Sequence, residues 1–491
     1  MGAGARLSRG ACAAGLGGAA APARAGALRR LANARKGLSI KKLVLIVVDG
    51  LTPAGFERAV ESGRAPSLAF LAANGSYTQA TSVFPSLTPV CLSSIATGAG
   101  PGVHHIPHLV WWHRGERRIV EYGSSFAAIR AAGLAQSVTD TIFNINEQHL
   151  SRDATTVYEA LEDAGYVAAA VNITCYRGRT RHQSTLPWMT KPAFGPKRFF
   201  FYSLFESDAT GAPLAVRNRQ GGSIDTYASA VGRWLITRDG FDFLVYYLTD
   251  FDYASHAHGP LGAEDVALAR TDAAIGALLE AAGGPDEFLE RYAVILHSDH
   301  GQTLVKESAH LELPLTPFVD DIVVTASNRA GQVYLLPGAR CDAAELAAAL
   351  DGEQSVEVTM RREGGEAVAR REGEELRFRP AAEGWETSGD AAILDQPDAL
   401  YRVWSALANP NAGELLVSPT EGWELADIGG SHHAGGGSHG SLVAGDSLVP
   451  MLTIGVGRTP SRITEVTPSV LEHFGVEPPP SMQAALLTHA S

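Results

Sequence analysis

Three apolar runs in the chain each lead directly into an aspartate. They read KLVLIVVDG, which places Asp49 at its end, FLVYYLTDFDYASHAHGP, which carries Asp252, and YAVILHSDHG, which carries Asp299. An unbroken apolar run is typical of a strand buried on both faces of a parallel sheet, and such sheets bind ligands beyond the carboxyl ends of their strands. The pattern therefore predicts that the three acids meet at one rim of a sheet.

Strand-like and helix-like segments alternate through most of the chain. Strands are predicted at 42–48, from Thr81 to Phe84, and at VAAAVNI, and the sheet pattern returns at VPMLTIGVG. Helices are predicted near 53–73 with Pro66 inside, from Pro89 to Ala96, from Thr155 to Ala164, and at the end of the chain with Thr467 as N-cap and Pro468 in the first turn. This rhythm predicts an α/β fold, a three-layer α/β/α sandwich around a mostly parallel sheet.

Residues 304–430 have a different pattern. Short strands are predicted at GQVYLLP, SVEVTMRR and ELRFRP, around one helix at DAAELAAALDG, with charged turns such as EGGEAVARREGEE. The segment is therefore predicted to be a small α+β insertion. The chain then divides into a tail of residues 1–40, a core of residues 41–303 and 431–491, and the insertion.

Composition limits the classes of partner. The 491 residues are 45% hydrophobic, enough for a large core, and the net charge is −13 although basic residues crowd the first forty positions. An acidic body of this kind does not attract nucleic acid polymers, so a small substrate is expected as partner. No apolar run is long enough for a membrane span, and the pattern leaves the oligomeric state open.

The first forty residues are rich in Ala, Gly and Arg. This composition favours a disordered tail, or an extension upstream of the true start, and with it a cytoplasmic location. A signal peptide, and so a secreted or periplasmic protein, is the alternative: Arg6 and Arg9 would precede a cleavage site at Ala21-Pro22-Ala23, but Leu16 is the one strong hydrophobe between them. The four cysteines form no CxxC pair, which argues against a disulfide framework or a cysteine zinc site.

The segment TSVFPSLTPVCLSSIATG predicts a hydroxyl at the start of a helix. Thr88 stands at the N-cap, Pro89 suits the first helical position, and Gly98 ends the helix. The N-terminus of a helix stabilises an alkoxide or a phosphoryl oxygen through its dipole and its free N–H groups. Thr88 is therefore either a cap alone or a reactive group.

Histidines accompany two of the three acids. Asp252 and His256 form an Asp-x-x-x-His pair, Asp299 and His300 are adjacent, and His439 lies in the Gly-rich loop GGGSHGSL. Crowded carboxylates need a cation, and imidazole is the commonest partner of zinc-like ions, so a metal site is predicted. Asp250 competes with Asp252 but lacks the spacing to His256. The remaining nearby histidines are predicted to lie outside the metal-binding set: His258, His297, His432 and His433.

Five of these pieces together resemble the alkaline phosphatase superfamily, and most closely its type I phosphodiesterase/nucleotide pyrophosphatase branch. The pieces are VVDG, FPSLTPVCLSSIATG, DYASHAHGP, SDHG and GSHG, in family order, over about 41–303 and 432–488. The resemblance implies an alkaline phosphatase-like core that holds two divalent metal ions. It assigns one ion to Asp252, His256 and His439 and the other to Asp49, Thr88, Asp299 and His300.

The resemblance also implies the chemistry. Thr88 is then the nucleophile and forms a covalent phosphothreonine intermediate. Mixed His and carboxylate ligands favour Zn²⁺, while Mn²⁺ and iron accept the same donors.

The chain departs from this branch at one position. Its phosphodiesterases carry an asparagine some twenty residues after the nucleophile, which bonds the phosphoryl oxygen, and here Leu109 stands near that place. Replacement donors are sought in the Thr88 amide, Arg114, Asn144 and Asn146. Trp111, with Trp112, is a candidate to stack on a flat leaving group, although packing is the commoner role of such a pair.

The sequence thus predicts a two-metal hydrolase of phosphodiester or pyrophosphate bonds in small nucleotide-like or other phosphorylated substrates. The alternatives are a phosphomonoesterase or phosphonate hydrolase of the same superfamily, and an inactive, metal-stabilised binding module. A sulfatase is disfavoured because the chain has no C/S-x-P-x-R motif at Thr88. A cofactor-independent phosphoglycerate mutase is disfavoured because its nucleophile is serine.

Overall fold

The computed structural model describes residues 40–186, 189–207 and 223–482. The tail predicted for residues 1–40 falls, except for Ile40, outside the described residues. In chain order the strands are β1 (Lys42–Val48), β2 (Ser76–Thr81), β3 (Val110–His113), β4 (Arg118–Glu121), β5 (Ala168–Val171), β6 (Thr180–His182), β7 (Ala193–Gly195), β8 (Arg198–Phe201), β9 (Phe205–Ser207), β10 (Phe243–Leu248), β11 (Tyr292–His297), β12 (Thr303–Leu304), β13 (Glu307–Ala309), β14 (Ile322–Ser327), β15 (Ala330–Leu335), β16 (Val356–Glu363), β17 (Glu366–Arg371), β18 (Glu374–Pro380), β19 (Trp385–Gly389), β20 (Leu415–Pro419), β21 (Trp423–Leu425), β22 (Gly437–Ser438) and β23 (Leu448–Ile454).

Helices connect most of the long strands. The α-helices are Pro53–Glu61, Pro66–Ala73, Thr88–Thr97, Pro101–His104, Phe126–Ala132, Leu134–Thr139, Val157–Asp163, Ile224–Arg238, Asp250–Val266, Leu268–Ala281, Pro285–Arg291, Ala343–Leu350, Ala399–Leu407, Ala444–Ser447 and Val466–His473. A π-helix covers Asp140–His149, and short 3-10 turns cover Thr316–Phe318, Ala391–Leu394 and Ile463–Glu465. None of the helices described has the length and apolar character needed to cross a bilayer.

The main sheet has eight strands in the order β2-β23-β11-β1-β10-β5-β8-β9. Its centre is parallel: β1 pairs in parallel with both β10 and β11, and β5 pairs in parallel with β10 and β8. The edges are antiparallel, because β23 runs against β11 and β2, and β9 runs against β8. The predicted mostly parallel sheet is confirmed.

Side chains of β1 alternate between two separate hydrophobic cores. Leu43, Leu45 and Val47 pack into the first core, and Val44, Ile46 and Val48 pack into the second. The first core includes residues of the helices Thr88–Thr97, Val157–Asp163 and Val466–His473. The second includes residues of Pro53–Glu61, Pro66–Ala73, Ile224–Arg238 and Leu268–Ala281. Because a layer of helices covers each face of the sheet, the fold is the predicted α/β/α sandwich.

A second sheet occupies much of the predicted insertion. It has seven antiparallel strands in the order β14-β15-β20-β16-β17-β18-β19. The helices Ala343–Leu350 and Ala399–Leu407 pack on it through buried leucine, valine and alanine side chains. One prediction here is wrong: the segment read as a charged turn contains β17. Its Ala367 and Ala369 are buried, while its Arg370 and Arg371 form ion pairs with Glu375 and Glu357 on the two neighbouring strands.

Three boundaries near the nucleophile segment also differ from prediction. The strand expected from Thr81 to Phe84 ends at Thr81, since β2 is an edge strand whose first four residues are exposed and lack an apolar pattern. The stretch 53–73 is two helices, the second starting at Pro66. Neither predicted threonine cap holds: Leu87 caps the Thr88 helix and Glu465 caps the last one, where Thr467 lies inside and donates to the Ile95 carbonyl.

We expect acid to destabilise the fold partly through His108. This buried imidazole accepts a hydrogen bond from the Val110 N–H at 3.0 Å and donates to the Ala330 carbonyl at 3.2 Å, and burial lowers its pKa to about 4. Since the unfolded chain binds this proton near pH 6.5 and the folded chain does not, stability falls by up to about 1.4 kcal/mol per pH unit between those values.

The test is urea denaturation of the metal-free protein from pH 7.5 to pH 4.5. His108→Gln keeps a donor and an acceptor but does not titrate. As the pH is lowered, the free energy of unfolding of this variant should therefore fall less steeply than that of the wild type, by the slope that the uptake of about one proton produces. Parallel curves for the two proteins would show that His108 does not contribute.

Candidate active site

Asp49 and Asp299 follow neighbouring parallel strands. Asp49 comes directly after β1, and Asp299 comes two residues after the end of β11. Gly50, with φ +70°, turns the chain away from the sheet, and a β-carbon there would lie 2.9 Å from a carboxylate oxygen of Asp252. Glycine is therefore required at this point, because both its backbone conformation and the close approach of Asp252 exclude a side chain.

Thr88 is the first residue of its helix. Leu87 occupies the N-cap with extended backbone, and the Thr88 side chain makes no capping hydrogen bond. Its Oγ1 lies 3.1 Å from Nε2 of His300. Because the side chain is not used as a cap, its hydroxyl is directed to the rim of the sheet at the positive end of the helix dipole.

Asp252 and His256 lie on one face of the helix Asp250–Val266. The spacing of four residues brings Oδ2 of Asp252 within 3.3 Å of Nε2 of His256. His439, from the loop after β22, brings its Nε2 to 3.9 Å from Oδ1 of the same aspartate. Asp250 instead contacts Arg270 at 3.3 Å and accepts a hydrogen bond from the Asp225 N–H.

All three histidines are oriented by a hydrogen bond from Nδ1 to a backbone carbonyl. His256 bonds to Gly437 at 2.9 Å, His300 to Gly301 at 3.0 Å, and His439 to Ser86 at 2.7 Å. Since Nδ1 carries the proton in each case, the lone pair of each ring is on Nε2 and points to the rim. This is the tautomer that metal-binding histidines adopt.

Two overlapping groups have ligand atoms within 4.8 Å of one another: Asp252, His256 and His439 form one, and Asp49, Asp252 and His300 form the other. The first matches a predicted ligand set. The second contains Asp252 where Asp299 was predicted, so Asp252 lies between the two groups. Asp299 remains close, with Oδ2 at 3.5 Å from Nε2 of His300.

Burial and mutual repulsion act on the carboxylates. Burial, reinforced by Asp299 and Asp252, raises the pKa of Asp49 well above its usual value. Burial and the Asp252 charge likewise raise the pKa of Asp299 to about 7. Burial would also raise the pKa of Asp252, but His256 and the other imidazoles outweigh it and lower that pKa. The group thus gains from any cation that neutralises it.

Two buried carboxylate oxygens of this Asp and His group have no hydrogen-bond donor among the described residues. They are Oδ1 of Asp49, whose other oxygen accepts from the Tyr247 hydroxyl, and Oδ2 of Asp299. A buried acceptor without a donor is costly, and a divalent cation satisfies it. Together with three imidazole lone pairs, these oxygens make a donor set that suits zinc-like ions.

A cavity of about 380 Å³ opens over this group. Its walls include Thr88, Leu109, Tyr122, Tyr202 and Asn328, besides the metal-binding candidates. Among the described residues that line it there is neither lysine nor arginine. The charge that a bound anion meets from these walls must therefore come from metal ions and hydrogen-bond donors.

The residues predicted to bind substrate lie elsewhere. Arg114 donates at 2.7 Å to the Ala412 carbonyl and to Glu414. Asn144 is buried and bonds to Asp140 at 2.7 Å, and Trp111 is 1% exposed in the first core. None of the three is among the described residues that line the cavity, because Trp111 and Asn144 are packed in the protein interior and Arg114 is bonded to residues of the insertion.

Asn146 is also engaged by the backbone. It donates to the Thr174 carbonyl at 2.8 Å and accepts from the N–H groups of Tyr176 and Arg177. It therefore shapes the loop after β5, and it is not among the described residues that line the cavity.

Several residues that line the cavity were not predicted from the sequence to belong to the site. His433, predicted to lie outside the metal-binding set, lines the cavity. Its ring centroid lies 4.2 Å from that of His256, with the planes tilted by 32°, and its Nδ1 bonds to Glu424 at 2.7 Å. Tyr247 and Asn328 also line the cavity. The HH pair beside GGGSHG was a local signal for His433, whereas Asn328 comes from the insertion, where no motif marks it.

A mostly parallel α/β/α sandwich with this Asp and His group beyond its strand ends has the fold of the alkaline phosphatase superfamily. Residues 43–442 match the family model described as type I phosphodiesterase/nucleotide pyrophosphatase, and the chain belongs to this family. Its members are metal-dependent hydrolases that act on small phosphorylated substrates.

Solved structures show the same fold. Phosphonoacetate hydrolase from Sinorhizobium meliloti 1021 in complex with phosphonoformate matches with a TM-score of 0.59 and 18% identity, over 88% of this chain and 96% of that chain. The same hydrolase in complex with phosphonoacetate matches with a TM-score of 0.58 and 17% identity, over the same shares of the two chains. No curated protein matches the sequence.

We expect His256→Ala to weaken binding of one zinc ion at least about 10-fold, because it removes one of three clustered donors. His258, two residues along the same helix, is exposed, so His258→Ala is the matched control and should bind zinc like the wild type. Zinc content after dialysis and calorimetric titration measure the difference. Equal zinc binding by both variants would contradict this ligand assignment.

Proposed function

We propose that the protein hydrolyses phosphodiester or pyrophosphate bonds in small substrates through a phosphothreonine intermediate on Thr88. One observation supports this most strongly: the Thr88 hydroxyl, free of any capping role, lies 3.1 Å from His300 within the Asp and His group. The proposed ligands are Asp252, His256 and His439 for one ion, and Asp49, Thr88, Asp299 and His300 for the other.

Zn²⁺ is the proposed metal, with Mn²⁺ or iron as alternatives. Two such ions, when bound, would lower the pKa of the Thr88 hydroxyl and withdraw charge from the phosphoryl oxygens. The protein's part is to hold the reacting groups: the helix start fixes Oγ1 of Thr88, and the carbonyl-bound imidazoles keep their lone pairs on the rim.

The reaction has two displacements. Oγ1 of Thr88 loses its proton to solvent and forms a bond to phosphorus while the P–O bond to the leaving group breaks, and the leaving oxygen takes a proton from water. A water molecule then attacks the phosphothreonine, the P–Oγ1 bond breaks, and the threonine oxygen regains a proton. Phosphate or a phosphate monoester is released.

The cavity walls support a diester over a more highly charged substrate. A phosphodiester carries one negative charge, whereas a phosphate monoester carries close to two, and phosphonoacetate adds a carboxylate. The described lining has no lysine or arginine to balance the extra charge, and it has apolar and tyrosine surface that suits an uncharged or aromatic leaving group.

Phosphonate hydrolysis is the second candidate, because the structures of phosphonoacetate hydrolase share the fold, although that substrate would require cleavage of a carbon–phosphorus bond in place of a phosphorus–oxygen bond. A phosphomonoesterase and an inactive metal-stabilised module are the remaining alternatives. The second of these is the weakest, since the nucleophile and every proposed ligand position hold chemically competent residues.

The nucleophile is tested with a matched pair of substitutions. Thr88→Val keeps the shape of the side chain and removes the hydroxyl, so we expect hydrolysis to fall by more than about 1,000-fold with little change in melting temperature. Thr88→Ser keeps the hydroxyl and should retain measurable turnover and a trappable phosphoserine. If Thr88→Val hydrolysed the substrate at the wild-type rate, Thr88 would not be the nucleophile.

The substrate class is tested with three compounds on zinc-loaded protein: bis(p-nitrophenyl) phosphate, p-nitrophenyl phosphate and phosphonoacetate. We expect kcat/KM for the diester to exceed that for the monoester at least about 10-fold, and little phosphate release from phosphonoacetate. Preference for the monoester would move the protein to the phosphatase side of the superfamily, and preference for phosphonoacetate would establish the second candidate.

A further inference from the structure

Asn328 places an amide in the cavity from outside the main sheet. It lies in the two-residue turn between β14 and β15, where Ser327 pairs with Ala330, and its φ of +54° is a conformation that asparagine tolerates. It is 6% exposed and lines the cavity with Thr88 and His439. A turn residue alone would have no need to face the catalytic group.

The turn is fixed to the His439 loop. The N–H of the next residue, Arg329, donates to the His439 carbonyl at 2.8 Å, and its buried guanidinium forms a 2.9 Å ion pair with Asp446. The Asn328 carbonyl accepts from the Leu425 N–H at 2.8 Å. The backbone that carries the amide is therefore held on both sides of the turn.

The amide itself is oriented. The Ser327 hydroxyl donates to Oδ1 of Asn328 at 2.9 Å, which leaves the NH₂ end to point into the cavity. There Nδ2 lies 3.2 Å from Nε2 of His439. The ring donates through Nδ1 to Ser86, so Nε2 is an acceptor, and it is also the atom proposed to bind a metal ion. Once that lone pair is used by a metal ion, the amide needs another acceptor.

Apart from Asn328 and the histidines, the side-chain donors in the described lining are hydroxyl groups, such as those of Ser124, Thr174 and Tyr202. Leu109 on the cavity wall is apolar, Pro89 has no N–H, and no lysine or arginine is among the described lining residues. Asn328 is the one carboxamide in that lining. Donors aimed at the place where negative charge develops are the largest single contribution in many hydrolytic sites.

We propose that Asn328 is a catalytic residue that donates a hydrogen bond from Nδ2 to a non-bridging phosphoryl oxygen of the substrate. The inference rests on the function proposed above. It assigns to the insertion a direct part in the chemistry, in place of the asparagine that this chain lacks at Leu109.

The test uses Asn328→Gly and Asn328→Asp in the full-length, zinc-loaded protein. Glycine keeps the left-handed turn and removes the amide, and aspartate keeps the shape but replaces the donor with an acceptor. For both we expect kcat/KM for bis(p-nitrophenyl) phosphate to fall by about 10²- to 10³-fold, as for loss of one oxyanion donor.

Binding is measured apart from turnover. Calorimetric titration with orthovanadate, which can become five-coordinate at a nucleophile and then resembles the transferring phosphoryl group, should show affinity at least about 10-fold weaker in both variants. Zinc content and melting temperature should match those of the wild type. Asn328→Gly that kept wild-type vanadate affinity and turnover would reduce Asn328 to a turn residue, and loss of zinc in both variants would assign it to the metal site; either result overturns the proposal.

The outcomes also separate this proposal from the proposed function. A wild type that binds vanadate through Asn328 but cleaves none of the three compounds would overturn the function and leave the donor role supported. If Asn328→Gly cleaved the diester as fast as the wild type does, the donor role would be overturned and the proposed function would stand. A wild type that binds no vanadate would overturn the donor role as well.

Discussion

Charge neutralisation at the rim of the main sheet is the constraint on which the rest of the site depends. Asp49, Asp252 and Asp299 come from three separate segments, yet they share a volume so small that Asp252 belongs to both candidate metal groups. Such crowding favours a bound cation, since burial and repulsion raise the pKa of Asp49 and Asp299 and so favour their protonated forms when no cation is bound. The imidazole tautomers, the glycine after Asp49 and the free Thr88 hydroxyl all serve to keep ligand atoms directed at this volume.

The insertion is coupled to the rim by buried polar contacts. Arg402, from the helix Ala399–Leu407, is 1% exposed and donates to the carbonyls of Val83 and Leu442, which flank the Thr88 and His439 segments. Arg329 and Asp446 make a second buried link of this kind. Breaking one partner of a buried pair is strongly destabilising, so the second sheet is held in one position over the rim.

The sequence predicts those parts of the protein whose structure is determined by the spacing of nearby residues. Apolar runs leading into Asp49 and Asp299 marked the central strands, and the four-residue spacing marked Asp252 and His256 as a pair, which the structure places on one face of a helix. The edge strand β2 was misplaced because it carries no apolar pattern, and Thr88 was misread as a cap because capping depends on the backbone of Leu87.

The rest of the site depends on how segments that are distant in the chain pack together, and no local sequence pattern predicts that packing. Arg114, Asn144 and Trp111 have the right chemistry in the right part of the chain, but packing turns them away from the cavity. Asn328 lies 111 residues from its partner His439, and no motif in its own segment predicts that contact. Only the docking of the second sheet brings the two together.

The position of β23 has a consequence for how the chain reaches its folded state. This strand is the last of those described, yet it lies between β11 and β2, and β2 pairs with no other strand of the main sheet among the described residues. During synthesis, β2 and the open edge of β11 therefore stay unpaired until the residues of β23 have left the ribosome. Exposed strand edges of this kind invite association between chains, so the interval before β23 inserts is a stage at which this protein is prone to aggregate.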